Sequence, residues 1–111
     1  MLLDFALALI SLSQHLYDSA EIEQLYRDAE QKLFTASRLG NTHAYYHLAC
    51  LYSLSNHIGL SMCFLEKAVK ADSLPSIEEI LQDDWLDNLR TTQDFHEFLS
   101  RLENSRNLEE Y

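Results

Sequence analysis

The sequence is poor in the residues that interrupt regular structure. Its 111 residues include two glycines and one proline, so long loops and frequent tight turns are excluded. Strand signals are nearly missing as well, since the chain has no Asn-Gly or Asp-Gly pair to make a hairpin turn. Hydrophobic residues make up 47% of the chain, enough for the core of one folded domain. These features predict an all-α protein.

Basic residues are scarce too. Eight Lys and Arg stand against 18 Asp and Glu, which gives a formal net charge of −10. Lys and Arg supply phosphate binding, so we expect no nucleic-acid partner and no anionic membrane partner. The charge is uneven, because residues 76–111 carry ten acidic and three basic residues, whereas residues 41–75 are neutral.

The chain has two cysteines, Cys50 and Cys63, too few for a disulfide framework. We expect buried free thiols and a reducing, cytoplasmic location. The apolar run at residues 5–12 has no preceding Lys or Arg and no small-residue cleavage site after it, which disfavours secretion. No stretch reaches the roughly 18 apolar residues that a membrane span needs.

Apolar residues recur at spacings of three and four, which predicts about five to seven helices. Asp18 is the expected N-cap of the second helix and Gly40 its terminator. Asn56 is expected to cap the fourth helix, Pro75 to lie in the first turn of the fifth, and Thr91 to start the last. The expected helices cover residues 2–16, 18–40, 42–55 and 57–71, a segment from 75, a short piece at 85–89, and a last helix to about 102. Residues 105–111 are expected to be a frayed acidic tail.

An internal repeat links the second and fourth predicted helices. Three pairs of positions share one and the same offset: Ala29 with Ser61, Leu33 with Leu65, and Ala36 with Ala68. The small residues would let a neighbouring helix approach, and the leucines would fill the gap beside them.

The third and fourth predicted helices carry a pattern of known spacing. It reads Tyr45-x2-Leu48-Ala49-x2-Tyr52, then Ser61-x3-Leu65 and Ala68. This pattern resembles the tetratricopeptide repeat (TPR). The departures from that family are Tyr45 for Trp, Ala49 for Gly, Ser61 for Ala, Leu65 for an aromatic, and Ser73 for Pro.

Two further segments extend the resemblance over about residues 20–102. The junction Ala36-x3-Gly40-Asn41-x2-Ala44-x3-Leu48 is similar to the related Sel1 repeat, and residues 80–102 look like the closing segment of short TPR proteins. The resemblance implies one domain over 1–104, a short right-handed α-solenoid of antiparallel helix pairs. Its parts would be a divergent first pair (1–40), a TPR-like repeat (41–72) and capping helices (73–104).

The resemblance also implies a protein–protein interaction module, an adaptor or small chaperone that binds a peptide or helix in a concave groove. One stripe of the third predicted helix is the expected partner site. It consists of His43, Tyr46, His47, Cys50, Ser53 and Leu54. The stripe has no Lys or Arg, so a basic or apolar segment is the expected partner. Tyr46→Ala should then weaken partner binding and spare stability. In the alternative, these side chains are ordinary solvated positions or are covered by the first helix.

Other functions receive less support. The first helix, whose single charge is Asp4, could pair two copies in a homodimer or a self-assembling subunit. His43, His47 and Cys50 could ligate a metal ion, and the acidic cluster Glu78, Glu79, Asp83, Asp84 and Asp87 could do acid–base work. Neither set has the spacing of a known site. We expect no enzyme activity, no metal and no cofactor, and Trp85 to anchor the closing segment.

Overall fold

The part of the chain described by the structure, a computed structural model, is residues 2–109, and it contains seven α-helices and no strand. The helices are α1 Leu2–Ser13, α2 Ser19–Arg38, α3 Ala44–Leu54, α4 Ile58–Lys70, α5 Ile77–Gln82, α6 Asp87–Arg90 and α7 Gln93–Glu109, with a 3₁₀ turn at Asp84–Leu86. This confirms the all-α prediction.

The same turn ends three successive helices. The residues just beyond α2, α3 and α4 have positive φ: Gly40 at 97°, Asn56 at 63° and Asp72 at 54°. The next N–H in each turn then donates back to a helix carbonyl: Asn41 to Ala36 at 3.0 Å, His57 to Tyr52 at 2.7 Å, and Ser73 to Ala68 at 3.0 Å. This is the Schellman arrangement, which satisfies the last carbonyls of a helix while the chain leaves it. The three turns are equally spaced in the sequence, so the chain reverses at a regular interval.

Two of these turns test helix ends that the sequence predicted. Gly40 terminates α2, as predicted. Asn56 was expected to cap α4, but this was wrong: it ends α3, because Asn tolerates the left-handed conformation, and His57 takes the N-cap position of α4.

Helices α1 to α4 each pack on the next helix in the sequence. Lys32 Nζ of α2 lies 5.4 Å from the centre of the Phe5 ring of α1. The Tyr52 hydroxyl of α3 donates to Glu30 of α2 at 2.7 Å, and the Ser61 hydroxyl of α4 donates to the Ala49 carbonyl of α3 at 2.6 Å. The two hydrogen bonds join positions at similar distances from the turn between their two helices.

The core lies between these helices and confirms the repeated positions. The members of all three repeated pairs are at most 3% exposed. Leu48 and Ala49 of α3 are fully buried between α2 and α4. Val69 and Leu81 are 37% and 48% exposed, because each lies one residue past the buried stripe of its helix. The Cys63 thiol, which was expected to be buried, is exposed on α4 for the same reason, one residue before that stripe.

The C-terminal segment has caps other than those expected. Ser76 is the N-cap of α5, and its hydroxyl accepts the Glu79 N–H at 3.2 Å, so Pro75 lies before this helix rather than in its first turn. Thr92, not Thr91, caps α7 by accepting the Phe95 N–H at 3.2 Å. Helix α7 runs to Glu109, so most of the expected tail is helical, and positions 110–111 lie outside the described residues.

The molecule is elongated and measures 49 × 32 × 20 Å. Helix α1 packs on α2 and α3, the 3₁₀ turn and α6 pack on α3, and α7 packs on α6. Within residues 2–109, no helix combines the length and the apolar character needed to cross a membrane.

Candidate functional site

The six residues of the predicted partner site differ widely in exposure. His43 is exposed, His47 and Leu54 are half-buried, and Tyr46, Cys50 and Ser53 are buried. Residues of the C-terminal segment cover the centre of the stripe. The Asn88 amide, for example, donates to the Ser53 carbonyl at 2.7 Å. In this arrangement, a partner could touch the N-terminal end of the stripe but not its centre.

Asp83, between α5 and the 3₁₀ turn, links the C-terminal segment to α3. One carboxylate oxygen caps the turn by accepting the Trp85 N–H at 3.0 Å. The other accepts the Tyr46 hydroxyl at 2.6 Å and the Cys50 thiol at 3.7 Å. The Asp83 carbonyl accepts from the Arg90 guanidinium at 2.7 Å. Asp83 belongs to the acidic cluster of the sequence, but no local pattern indicates this role, since its partners on α3 are distant in the sequence.

The protonation of these groups follows from their burial. Burial, with Cys50 and Asp83 nearby, raises the pKa of Tyr46 well above its ordinary value. Burial, then the charge of Asp83, also raises the pKa of the Cys50 thiol. Burial lowers the pKa of His47, although the charge of Asp83 opposes the shift. At neutral pH, Tyr46 and Cys50 are therefore protonated donors.

A pocket of about 280 Å³ opens beside the exposed end of the stripe; we name it the acidic pocket. It is lined by His43, Tyr46, His47, Ser73, Pro75, Glu79 and Asp83. These lining residues include two carboxylates and no Lys or Arg. The volume suits one side chain rather than a whole small-molecule ligand, since ligand pockets measure roughly 300–1,000 Å³.

The residues considered for metal binding are not brought together. The Cys50 thiol is buried on Asp83, while His43 is exposed at the other end of the stripe. Among the described residues, no three His, Cys, Asp or Glu side chains are placed to hold a metal ion. The rest of the acidic cluster is on the surface: Glu78 and Glu79 lie in the first turn of α5, and Asp87 pairs with Arg90 at 2.9 Å.

A larger groove of about 500 Å³ lies between α2 and the C-terminal end of α3; we name it the α2–α3 groove. It exists because α2 has 20 residues and α3 has 11. The pairing of Glu30 with Tyr52 places the first turns of α2 beyond the end of α3. Its lining is Ser19, Ile22, Glu23, Tyr26, Arg27, Glu30, Leu51, Tyr52, Ser55 and His57.

The charges along this groove are largely matched. Arg27 pairs with Glu23 at 3.6 Å, and Glu30 accepts the Tyr52 hydroxyl. Burial, then the bond to Glu30, raises the pKa of Tyr52 above its ordinary value. What the groove offers a ligand is the half-buried apolar stripe of Ile22 and Tyr26 on α2.

The outer face of α1 is a third exposed feature. Ala6 and Ile10 face inward and are fully buried, while Phe5 and Leu12 are 52% and 50% exposed on the other side. Ala8, between them, is also exposed. The helix is therefore apolar on both faces.

Comparison with known protein families, curated proteins and solved structures found no match to this chain. The resemblance to the tetratricopeptide and Sel1 repeats rests on residue pattern alone, and it stays a hypothesis. Function is therefore argued from the geometry of the described residues.

Proposed function

We propose that this chain is a protein–protein interaction module, an adaptor or small chaperone, that binds a peptide or helix of a partner protein. The observation that carries the proposal is the α2–α3 groove. Ile22 and Tyr26 continue the buried stripe of α2, yet both are only half-buried and line the open groove. A helix or extended segment with apolar side chains fits such a groove.

The size and walls of the groove support this occupant. Its volume of about 500 Å³ lies within the range of ligand sites, and its tyrosines combine an apolar ring with a polar end. The paired charges of Glu23 with Arg27 favour no strongly charged ligand at this place. An apolar segment is therefore the proposed ligand.

The acidic pocket is the part of the predicted α3 site that a partner could reach. Of the six predicted residues, His43 and His47 line this pocket and are accessible. Tyr46, Cys50 and Ser53 are buried and contact the C-terminal segment. Two carboxylates without a lining Lys or Arg favour a basic residue of the partner there. The proposed partner therefore presents apolar residues to the groove and a basic residue to this pocket.

The proposal includes the finer architecture. The repeated buried positions and the three equally spaced turns support a short right-handed solenoid of antiparallel pairs, similar to TPR proteins. We also propose a non-catalytic role and a cytoplasmic location, in keeping with the free thiols of Cys50 and Cys63.

Selection from a displayed library of random peptides, each long enough for about four helical turns, tests the binding function. The selected peptides are titrated into the isotope-labelled full chain, and amide shifts locate the site by nuclear magnetic resonance. We expect apolar-rich peptides to shift residues of the α2–α3 groove, and Tyr26→Ala to weaken binding at least about tenfold, a loss of about 1.4 kcal/mol. Glu79→Gln should weaken the peptides that carry Lys or Arg.

The matched control is Tyr17→Ala, because Tyr17 is 100% exposed and does not line the groove. It should bind like the parent chain. The proposal fails if selection yields no binder, or if Tyr26→Ala and Tyr17→Ala bind equally well.

A further inference from the structure

The acidic pocket contains two side chains whose charge can change near neutral pH. His43 and His47 lie one helical turn apart at the start of α3, and they share the lining with Glu79 of α5 and with Asp83. Histidine is the side chain whose ordinary pKa puts its charge change between about pH 5 and pH 8. The lining therefore carries two negative charges when both rings are neutral, and these charges are balanced when both rings are protonated.

We propose that the acidic pocket binds a Lys or Arg side chain of the partner at neutral pH and releases it towards about pH 5, as His43 and His47 become protonated. This inference rests on the proposed function, because it adds regulation to the site of the partner's basic residue. The positive charge of the ligand and the two protons compete for the same pair of carboxylates. Protonation of the rings therefore removes the attraction without any movement of the chain.

The surroundings of His47 couple its ring to the pocket. Its Nδ1 is buried and has no hydrogen-bond partner among residues 2–109, so a proton there would lack an acceptor. Burial lowers the pKa of His47 most, the negative charge of Asp83 raises it, and the charge of His43 lowers it. A cation bound in the pocket acts in the same direction as the charge of His43, so it favours the neutral ring. By linkage, protonation of His47 weakens the binding of that cation.

The other ionisable groups beside the pocket keep their charge over this range. Asp and Glu side chains ordinarily titrate near pH 4. Burial raises the pKa of Tyr46 and of Cys50, so both of these donors to Asp83 stay protonated and neutral. Arg90 donates to the Asp83 carbonyl and pairs with Asp87 outside the pocket lining, and its charge is constant. The two histidines are therefore what makes the charge of the lining depend on pH.

The expected change in affinity follows from the size of the pocket. In a volume of about 280 Å³, a bound cation lies within roughly 6 Å of the lining, where a new unit charge changes its affinity about three- to tenfold. His43 is exposed, so water weakens its effect more than that of the half-buried His47. For the two rings together, we expect the affinity at about pH 5 to be at least about fivefold below that at about pH 7.5.

Titration of the isotope-labelled full chain with Nα-acetyl-lysine amide, followed by nuclear magnetic resonance, tests the pocket without a selected peptide. Nα-acetyl-norleucine amide is the matched probe that lacks the charge. At about pH 7.5 the lysine probe should shift the amides of His47, Ser73 and Glu79, and the norleucine probe should not. At about pH 5 and the same ionic strength, these shifts should require at least about five times as much lysine probe.

Variants assign the pH dependence to the two rings. With His43→Gln and His47→Gln combined, the lysine probe should bind equally well at both pH values, and His43→Gln alone, at an exposed position, should remove part of the dependence. His15→Gln, in an exposed turn outside the pocket, should keep the dependence of the parent chain. Glu79→Gln should weaken binding at neutral pH, whereas Glu78→Gln, at an exposed neighbour that does not line the pocket, should not.

The outcomes separate this inference from the proposed function. If the lysine probe shifts no residue of the pocket at neutral pH, the pocket is no site for a basic residue and both claims about it fail. Equal affinity at the two pH values, or full dependence without the two histidines, would overturn the release alone and leave peptide binding in the α2–α3 groove standing. Spectra recorded without the probe complete the test: if residues 83–88 leave α3 at the lower pH, release comes from unfolding and the proposal is wrong.

Discussion

Asp83 is the residue on which the packing of the C-terminal segment depends most directly. Its two carboxylate oxygens accept bonds from Trp85 in its own segment and from Tyr46 and Cys50 on α3. A half-buried carboxylate has lost part of its hydration, so each donor that replaces water matters. Asp83 therefore links the cap of a local turn to the position of α3.

The first prediction concerns Tyr46→Phe. The change removes the 2.6 Å bond to Asp83 and little else, and bonds to charged groups contribute about 1.5–3 kcal/mol. We expect the free energy of unfolding, measured by urea denaturation, to fall by that amount. Tyr45→Phe is the matched control on the same helix, because Tyr45 is half-buried; it should change stability by less than about 0.5 kcal/mol. Equal stability of the two variants would contradict the role given to Asp83.

The burial of Tyr46 also revises what Tyr46→Ala should do. The sequence alone predicts that this change spares stability, whereas Tyr46 is 5% exposed in the structure. We now expect a stability loss larger than that of Tyr46→Phe, since the ring is lost as well. Helical spacing placed Tyr46 on the correct stripe but could not show that residues 83–88 would cover it.

His47 should make stability depend on mildly acidic pH. Burial lowers its pKa in the folded chain below the ordinary 6.5, so the unfolded chain binds a proton first. The contribution of neutral His47 is fully present above about pH 6.5 and is lost as the pH falls through its lower folded pKa. Urea denaturation between about pH 7.5 and pH 5 should show stability falling with pH, and His47→Gln should reduce this slope. His15→Gln, in the exposed turn before α2, should keep the slope of the parent.

At the scale of elements, the helices depend on how each one ends. The turns at Gly40, Asn56 and Asp72 share one backbone arrangement with three different residues. Only Gly adopts positive φ without strain, whereas Asn and Asp tolerate it through their short polar side chains. The regular reversal of the chain thus rests on backbone geometry more than on any single side-chain contact.

Replacing each of the two glycines by alanine should give effects of opposite sign. Gly40 has φ of 97°, so Gly40→Ala should lower the free energy of unfolding by about 1–2 kcal/mol. Gly59 lies in α4, and Gly59→Ala should raise it by about 0.5–1 kcal/mol. No described atom lies within 4 Å of the added methyl group at either position, so collisions do not confuse the comparison. Thermal unfolding of both variants tests this; effects of the same sign would contradict the turn geometry.

The elements show what the sequence could and could not predict. Periodicity located α2, α3 and α4 and their repeated buried positions, because those contacts recur every three to four residues. The α2–α3 groove depends on a difference in helix length and on the pairing of Glu30 with Tyr52, 22 residues apart. The sequence did contain a signal for this groove. The apolar stripe of α2 begins two turns earlier than the point that a helix as short as α3 could reach and cover. The predicted partner stripe of α3 is covered through contacts with Asp83 and Asn88. No local sequence pattern reveals these contacts.

At the scale of the whole molecule, charge opposes folding. Residues 76–111 carry a net charge of −7, and nine of their ten acidic residues lie within the described residues 76–109, so like charges are held close together. Two of the ion pairs in this region, Asp87 with Arg90 and Glu66 with Arg101, have partly exposed side chains. Exposed pairs contribute about 0.2–1 kcal/mol each, too little to offset an excess of seven negative charges.

Salt should therefore stabilise this protein. Raising NaCl from about 0.02 M to about 0.5 M shortens the Debye length from about 21 Å to about 4 Å and screens the repulsion within α5 to α7. We expect the free energy of unfolding to rise by an amount on the order of 1 kcal/mol, measured by urea denaturation at a few micromolar. Glu78→Gln combined with Glu103→Gln, both at exposed positions, should reduce this salt dependence because two of the repelling charges are gone. If stability fell with salt, the ion pairs would outweigh the repulsion, and like-charge repulsion would not be what opposes folding.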